Sequence, residues 1–106
     1  MPKYLIEASY TPEGVIGIAE KGGTARQEAV GQLIAAAGGK LESLYFAFGD
    51  ADVYAIVELP SDEAAVAIAL SINRSGSTKI RTIPLLTPAQ VDAAAKMAPE
   101  YRRPGA

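Results

Sequence analysis

The residues able to do chemistry in this chain are few, and their kinds narrow what it can do. Cysteine and histidine are both absent. Disulfides, thiolate metal sites and thiol nucleophiles are thereby excluded. So are imidazole metal ligands, a histidine-ligated haem and imidazole proton shuttling. What remains is carboxylates, phenols and cationic side chains. Glu7, Tyr45, Tyr54, Glu58 and Arg81 are the set that a single sheet surface would bring together. An arginine fork suits an anionic or carbonyl-bearing ligand. A glutamate drawn out of water holds its proton more tightly and can then serve as a base, so Glu7 and Glu58 are the candidates for that role. A plainer reading takes precedence. Lys3, Glu7, Glu58 and Arg81 pair with one another at a subunit interface, and the two tyrosines pack there with their hydroxyls on backbone.

Three further arrangements invite a chemical reading and have a simpler one. Asp50 and Asp52 put two carboxylates in one turn, where an oxygen-liganded cation is conceivable. Turn chemistry accounts for both, and the spacing of a calcium loop is missing, so no metal is assigned. Gly22-Gly23-Thr24 sets a glycine pair before a helix start, as phosphate-cradling loops do. No Lys-Ser/Thr signature follows and no strand feeds it directly, which leaves a helix break. An N-terminal proline amine can act as a base, but Pro2 follows Met1 and has no free amine. No cofactor is implied.

These side chains need elements to position them, and residues 44–59 organise the rest. Both halves of that stretch are rich in aromatic and β-branched residues, and Gly49-Asp50-Ala51-Asp52 between them are turn formers. A hairpin with Asp50 and Ala51 at its tip sets Phe48 against Val53, Phe46 against Ala55 and Leu44 against Val57. All six apolar side chains then share one face, the core face. The other face carries Tyr45 opposite Ile56, Ala47 opposite Tyr54 and Ser43 opposite Glu58.

Residues 3–10 read as a first strand, with Ile6 and Ala8 towards the core and Leu5 and Glu7 on the opposite face. Thr11-Pro12 caps a helix, as N-cap and first helical residue. Lys21-Gly22-Gly23 breaks it; Thr24 restarts it with Gln27 completing a capping box. Val30, Leu33, Ile34 and Ala37 form its apolar stripe, and Gly38-Gly39 end it. Ser61 caps a second helix whose stripe is Ala65, Ile68, Ala69 and Ile72, closed by Gly76. Residues 79–85 are the last strand, and Pro84 within it, lacking an N–H, belongs at a sheet edge. Thr87-Pro88-Ala89-Gln90 caps a third helix running to about Ala98. A tail over residues 99–106 is expected to be mobile.

The run Gly49-Asp50-Ala51-Asp52-Val53-Tyr54, followed by Glu58-Leu59-Pro60, resembles the signature of the GYD domain family. Lys3-Tyr4-Leu5, Tyr10-Thr11-Pro12-Glu13-Gly14, Gly38-Gly39-Lys40-Leu41, Gly76 and Leu86-Thr87-Pro88 continue the likeness, which covers about residues 3–95. One departure stands out. Ala51 occupies the place of the tyrosine in the family's Gly-x-Tyr-Asp pattern, so any role of that ring is absent. The resemblance implies a dimeric α+β barrel built on a ferredoxin-like βαββαβ sandwich. Its four-stranded antiparallel sheet, in the order 4-1-3-2, carries helices on one face, with the C-terminal helix added. The expected domain spans residues 1–98. No catalytic residue comes with the resemblance.

Two helices cover one face of such a sheet. The opposite face then holds Lys3, Leu5, Glu7, Ser43, Tyr45, Ala47, Tyr54, Ile56, Glu58, Arg81 and Ile83, too apolar to stay comfortably in water. A homodimer or higher homo-oligomer formed through that face is the expectation, with a small anionic or carbonyl ligand beside it. At 106 residues and a formal charge of −2, the chain is one domain with a real core and no basic stripe, so nucleic acid is not an expected partner. No apolar run approaches the ~20 residues that span a bilayer, and residues 1–4 lack a secretory signal's apolar segment, so no membrane partner and a cytoplasmic location are expected. Two functions compete. One is a non-enzymatic homodimeric module that binds a small molecule or serves as a structural unit. The alternative is a cofactor-independent isomerase or monooxygenase-like enzyme with its site between the sheet faces.

Overall fold

The computed structural model describes residues 1–105. Its elements are β1 (Lys3–Tyr10), α1 (Pro12–Ala36), β2 (Lys40–Phe46), β3 (Val53–Glu58), α2 (Asp62–Arg74), β4 (Thr78–Leu85) and α3 (Pro88–Met97). The strands form one antiparallel sheet in the order β2-β3-β1-β4. This is the ferredoxin-like α+β arrangement expected, with α3 added. Pro84 lies on β4, an edge strand, where a missing N–H is tolerated. No helix among the described residues is long and apolar enough to cross a membrane.

Alternation along the inner strands builds the core. Tyr4, Ile6 and Ala8 of β1 and Val53, Ala55 and Val57 of β3 are buried, while their neighbours are only half-buried. Ile34 of α1 and Ala65 and Ile68 of α2 close over this face, and Leu59 seals one end. Val30, Leu33, Ala37 and Ile72 flank them, so both helical stripes meet the same side of the sheet. The local signals act as their chemistry requires. Thr11 and Ser61 accept N–H bonds from Gly14 and Ala64 at the starts of α1 and α2. Gly22 takes φ of 84°, a backbone state that favours glycine, and kinks α1 there. The Thr24–Gln27 capping box does not form, because the helix resumes directly after the kink; Thr87 and Gln90 form one instead.

The hairpin departs from its expected register by two residues. Phe46, not Phe48, lies opposite Val53; Leu44 lies opposite Ala55, and Tyr45 opposite Tyr54. A two-residue tip is replaced by a longer loop over residues 47–52. Three hydrogen bonds, two between backbone groups and one to the Asp52 carboxylate, hold that loop. Asp52 N–H donates to the Ala8 carbonyl at 2.8 Å, Ala47 N–H donates to the Asp52 carbonyl at 2.8 Å, and Tyr10 N–H donates to Asp52 Oδ2 at 2.9 Å. Ala51 is buried by this closure and Phe48 is left fully exposed. Because the slip is even, every side chain that remains on the strands keeps its expected face. At the other end of β2 the register shifts again between Leu41 and Ser43, a bulge. Leu41 and Leu44 both pack on the core, which an unbroken strand forbids for residues three apart. Ser43 consequently faces Ile56, and Lys40 takes the expected place of Ser43 opposite Glu58. Of the expected tail, residues 99–105 are exposed and without helix or strand, and Ala106 lies outside the described residues.

Two substitutions test this packing. Ile34→Ala is expected to lose ~2–5 kcal/mol of unfolding free energy by opening a cavity under α1. A Cβ at Gly39 would collide with the Glu58 carbonyl oxygen and crowd Leu59. Gly39→Ala is therefore expected to cost ~1–3 kcal/mol or more in urea unfolding, although alanine is the better residue in most settings.

Candidate functional site

Four of the five candidate residues fall into one line. Tyr45 pairs with Tyr54 between β2 and β3, Tyr54 with Glu7 between β3 and β1, and Glu7 with Arg81 between β1 and β4. The row Tyr45–Tyr54–Glu7–Arg81 thus crosses the whole sheet on the face that no helix covers. The next row is Ser43, Ile56, Leu5 and Ile83, largely apolar; beyond it come Lys40, Glu58, Lys3 and Leu85. Glu58 is therefore not part of the line. Four residues of strand separate it from Tyr54, about 13 Å at the usual rise. Grouping Glu58 with Arg81 by shared face alone ignored position along the strand, which alternation does not encode.

Within the row, Arg81 Nη1 stands 3.8 Å from Glu7 Oε2. Arg81 is 81% exposed and Glu7 22%, so the pair is loose and contributes ~0–1 kcal/mol by itself. Neither tyrosine hydroxyl has a hydrogen-bond partner among the described residues. Tyr45 is 72% exposed. A cleft of about 460 Å³ opens beside the row, bordered by Glu7, Tyr54, Arg81, Ser9, Asp50 and Lys79. Lys79 of β4, opposite Ser9, is a second cation that sequence reasoning missed; its two-residue spacing from Arg81, which places both on one strand face, was the available signal. Ala51 also borders the cleft, so its small side chain leaves room there.

At the far end of the open face Lys3 finds a partner within its own chain. Lys3 Nζ donates to Glu42 Oε1 at 2.6 Å, reaching past β3. The bulge makes this contact, because a regular β2 would turn Glu42 to the core. The Glu42 hydrogen bond, then its charge, hold the Lys3 ammonium above its ordinary value of 10.5, with a smaller push from Glu58. Under the helices, Tyr4 hydroxyl donates to Asp62 Oδ1 at 2.6 Å and ties β1 to the first turn of α2. That bond, with burial and the charges of Asp62 and Glu63, raises the Tyr4 phenol above 10.0.

The remaining chemical candidates resolve into structural roles. One Asp52 oxygen accepts the Tyr10 N–H, and Asp50 stands exposed at the cleft rim. Pro2 offers its carbonyl to Leu59 N–H at 3.1 Å. Gly23 makes room for the Phe46 ring, whose Cε2 would stand 3.0 Å from an added Cβ. Close packing and the kink therefore explain the glycine pair without a phosphate. Arg26, just beyond it, stacks 6.0 Å over the Tyr10 ring.

The GYD domain family model matches residues 4–95. The chain belongs to the GYD domain family. No curated protein matches it. In this GYD domain the signature loop is the segment that Asp52 closes against β1, and it forms one rim of the cleft.

The two raised groups give the domain an alkaline limit. Folded Tyr4 and Lys3 keep their protons at a pH where the unfolded chain has begun to release them. Their stabilisation is complete below the unfolded values and disappears as pH rises through the folded ones. The melting temperature is expected to hold from pH 7 to about 10 and to fall beyond it. Tyr4→Phe should lower the plateau and soften the alkaline fall, which melting curves across pH 7–11.5 would measure.

Proposed function

We propose that this GYD domain is a cytoplasmic homodimeric module that binds a small anionic or carbonyl-bearing ligand. The row Tyr45–Tyr54–Glu7–Arg81 and the cleft beside it form the recognition surface, and the open sheet face of a second copy forms its lid. The observation that carries this reading is the row itself. It gathers two phenols without partners, a carboxylate and an exposed guanidinium in register across all four strands, on a face with no helix over it. Arg81 and Lys79 supply positive charge at one edge, Tyr45 and Tyr54 flat apolar walls and hydroxyl donors at the other. Convergent polar groups against apolar walls are how small-ligand sites are made. The isomerase or monooxygenase-like alternative needs a carboxylate held away from cations. Glu7 faces Arg81 and Glu58 faces Lys3, the reverse of that arrangement.

Light scattering at micromolar concentration should return twice the chain mass of 11.0 kDa, with a total interface of about 1,200–2,000 Å² typical of stable pairs. A thermal-shift screen of small carboxylates and oxo acids should give hits that Arg81→Ala weakens about tenfold, the ~1.4 kcal/mol of a lost charged contact, with little change in melting temperature. Glu58→Gln, two rows away, should leave those hits intact. Equal binding by wild type and Arg81→Ala would remove the row as the site.

A further inference from the structure

We propose that α3 is an arm that docks on a second copy of this chain and forms part of the two-copy interface. The inference rests on the dimeric reading above but concerns a different surface. α3 buries none of its residues, and Val91 and Met97 are 52% and 80% exposed. Yet its sequence specifies a helix in detail. Pro88 sits at its first turn, and Thr87 and Gln90 exchange both bonds of a capping box. Val91, Ala94, Ala95 and Ala98 recur at i, i+3, i+4 and i+7, an apolar stripe with Asp92 and Lys96 on another side. An isolated helix of ten residues is marginal in water, and tertiary packing supplies most helical stability in proteins. This helix has the stripe for such packing, yet none of its residues is buried by the described residues of its own chain.

Surface area says what the missing surface is. A folded monomer of 11.0 kDa exposes about 5,600 Å². This protomer exposes 7513 Å², a surplus of roughly 1,900 Å². Its radius of gyration is 17.0 Å, where a compact chain of this length has about 13 Å. The longest dimension is 58 Å against 33 and 22 Å for the others. A standard interface takes about 800 Å² from each partner, and obligate homodimers take more. The surplus is thus what a subunit of an obligate pair carries, and the unburied arm accounts for part of it. Direction agrees. The root of α3, through Leu86, Thr87 and Gln90, borders a cleft of about 620 Å³ with Lys3, Glu42 and Ile56 of the open sheet face. The arm therefore leaves the sheet on the side from which a face-to-face copy would approach.

Sedimentation equilibrium and hydrogen exchange on the full chain test this. Val91→Asp places a charge in the stripe, at a position that is 52% exposed on a helix with no buried residue. It should weaken the dimer at least tenfold while the monomer's melting temperature stays unchanged; Lys96→Ala, off the stripe, should change neither. Amides of residues 91–97 should exchange as free coil at concentrations where the wild type is monomeric and become protected where it is dimeric. An unaltered dimer constant in Val91→Asp, or exchange of those amides independent of concentration, overturns the proposal. Ile56→Asp, on the sheet face, separates the two ideas. Loss of the dimer in Ile56→Asp but not Val91→Asp keeps the sheet-face reading and removes the arm. Sensitivity of Val91→Asp alone keeps the arm and removes the sheet face, and a monomeric wild type removes both.

Discussion

Burial of one side of β1 and β3 is the condition on which the rest of this protein depends. Tyr4, Ile6, Ala55 and Val57 must lie under α1 and α2, since these residues with Ile34, Ala65, Ile68 and Leu59 are the core. Strand alternation then leaves no freedom for the residues between them. Leu5, Glu7, Tyr54 and Ile56 are forced onto the opposite face, which no helix among the described residues covers. The same packing that stabilises the fold thus creates the surface on which a ligand or a second copy can act.

The position of β2 along that surface is set by contacts at its two ends. The Asp52 loop closes against Ala8 and Tyr10 of β1 and fixes where β2 begins to pair with β3. The bulge near Glu42 then resets the register before Gly39, whose backbone runs against Glu58. Between these anchors Tyr45 comes level with Tyr54, while the pairing of β1 with β3 sets Glu58 opposite Lys3. The registers of β1 with β3 and with β4 set Tyr54, Glu7 and Arg81 level, and the closure of the Asp52 loop brings Tyr45 of the edge strand into the same row.

Membership of the GYD domain family gives this arrangement a wider frame without giving it a chemistry. The signature loop acts mechanically here: Asp52 is its clamp, and Ala51 is a buried wall of the cleft. A larger side chain at position 51 would alter the space beside Glu7 and Arg81. The loop therefore links the family's sequence pattern to the cleft beside Glu7 and Arg81 through packing.

Much of the architecture was legible in the residues themselves. Thr11-Pro12, Ser61 and Thr87-Pro88 mark helix starts because each supplies a side-chain acceptor for an unpaired N–H. Gly22 marks the kink in α1 because its φ excludes most other residues, and Pro84 marks an edge strand because it has no N–H to donate. Alternation sorted core from open face correctly even where the register was two residues out, since an even slip leaves faces unchanged. That same indifference is why the site was only partly legible. Alternation has period two and carries no information about which pair of residues stands level, so Glu58 and Arg81 looked like neighbours. Leu41 and Leu44, three apart and both apolar, held the one local hint of a bulge. The rest was decided by contacts between residues some forty positions apart, Tyr10 with Asp52 and Lys3 with Glu42. Such pairings exist only once the sheet has closed, because each depends on where a distant strand has come to rest.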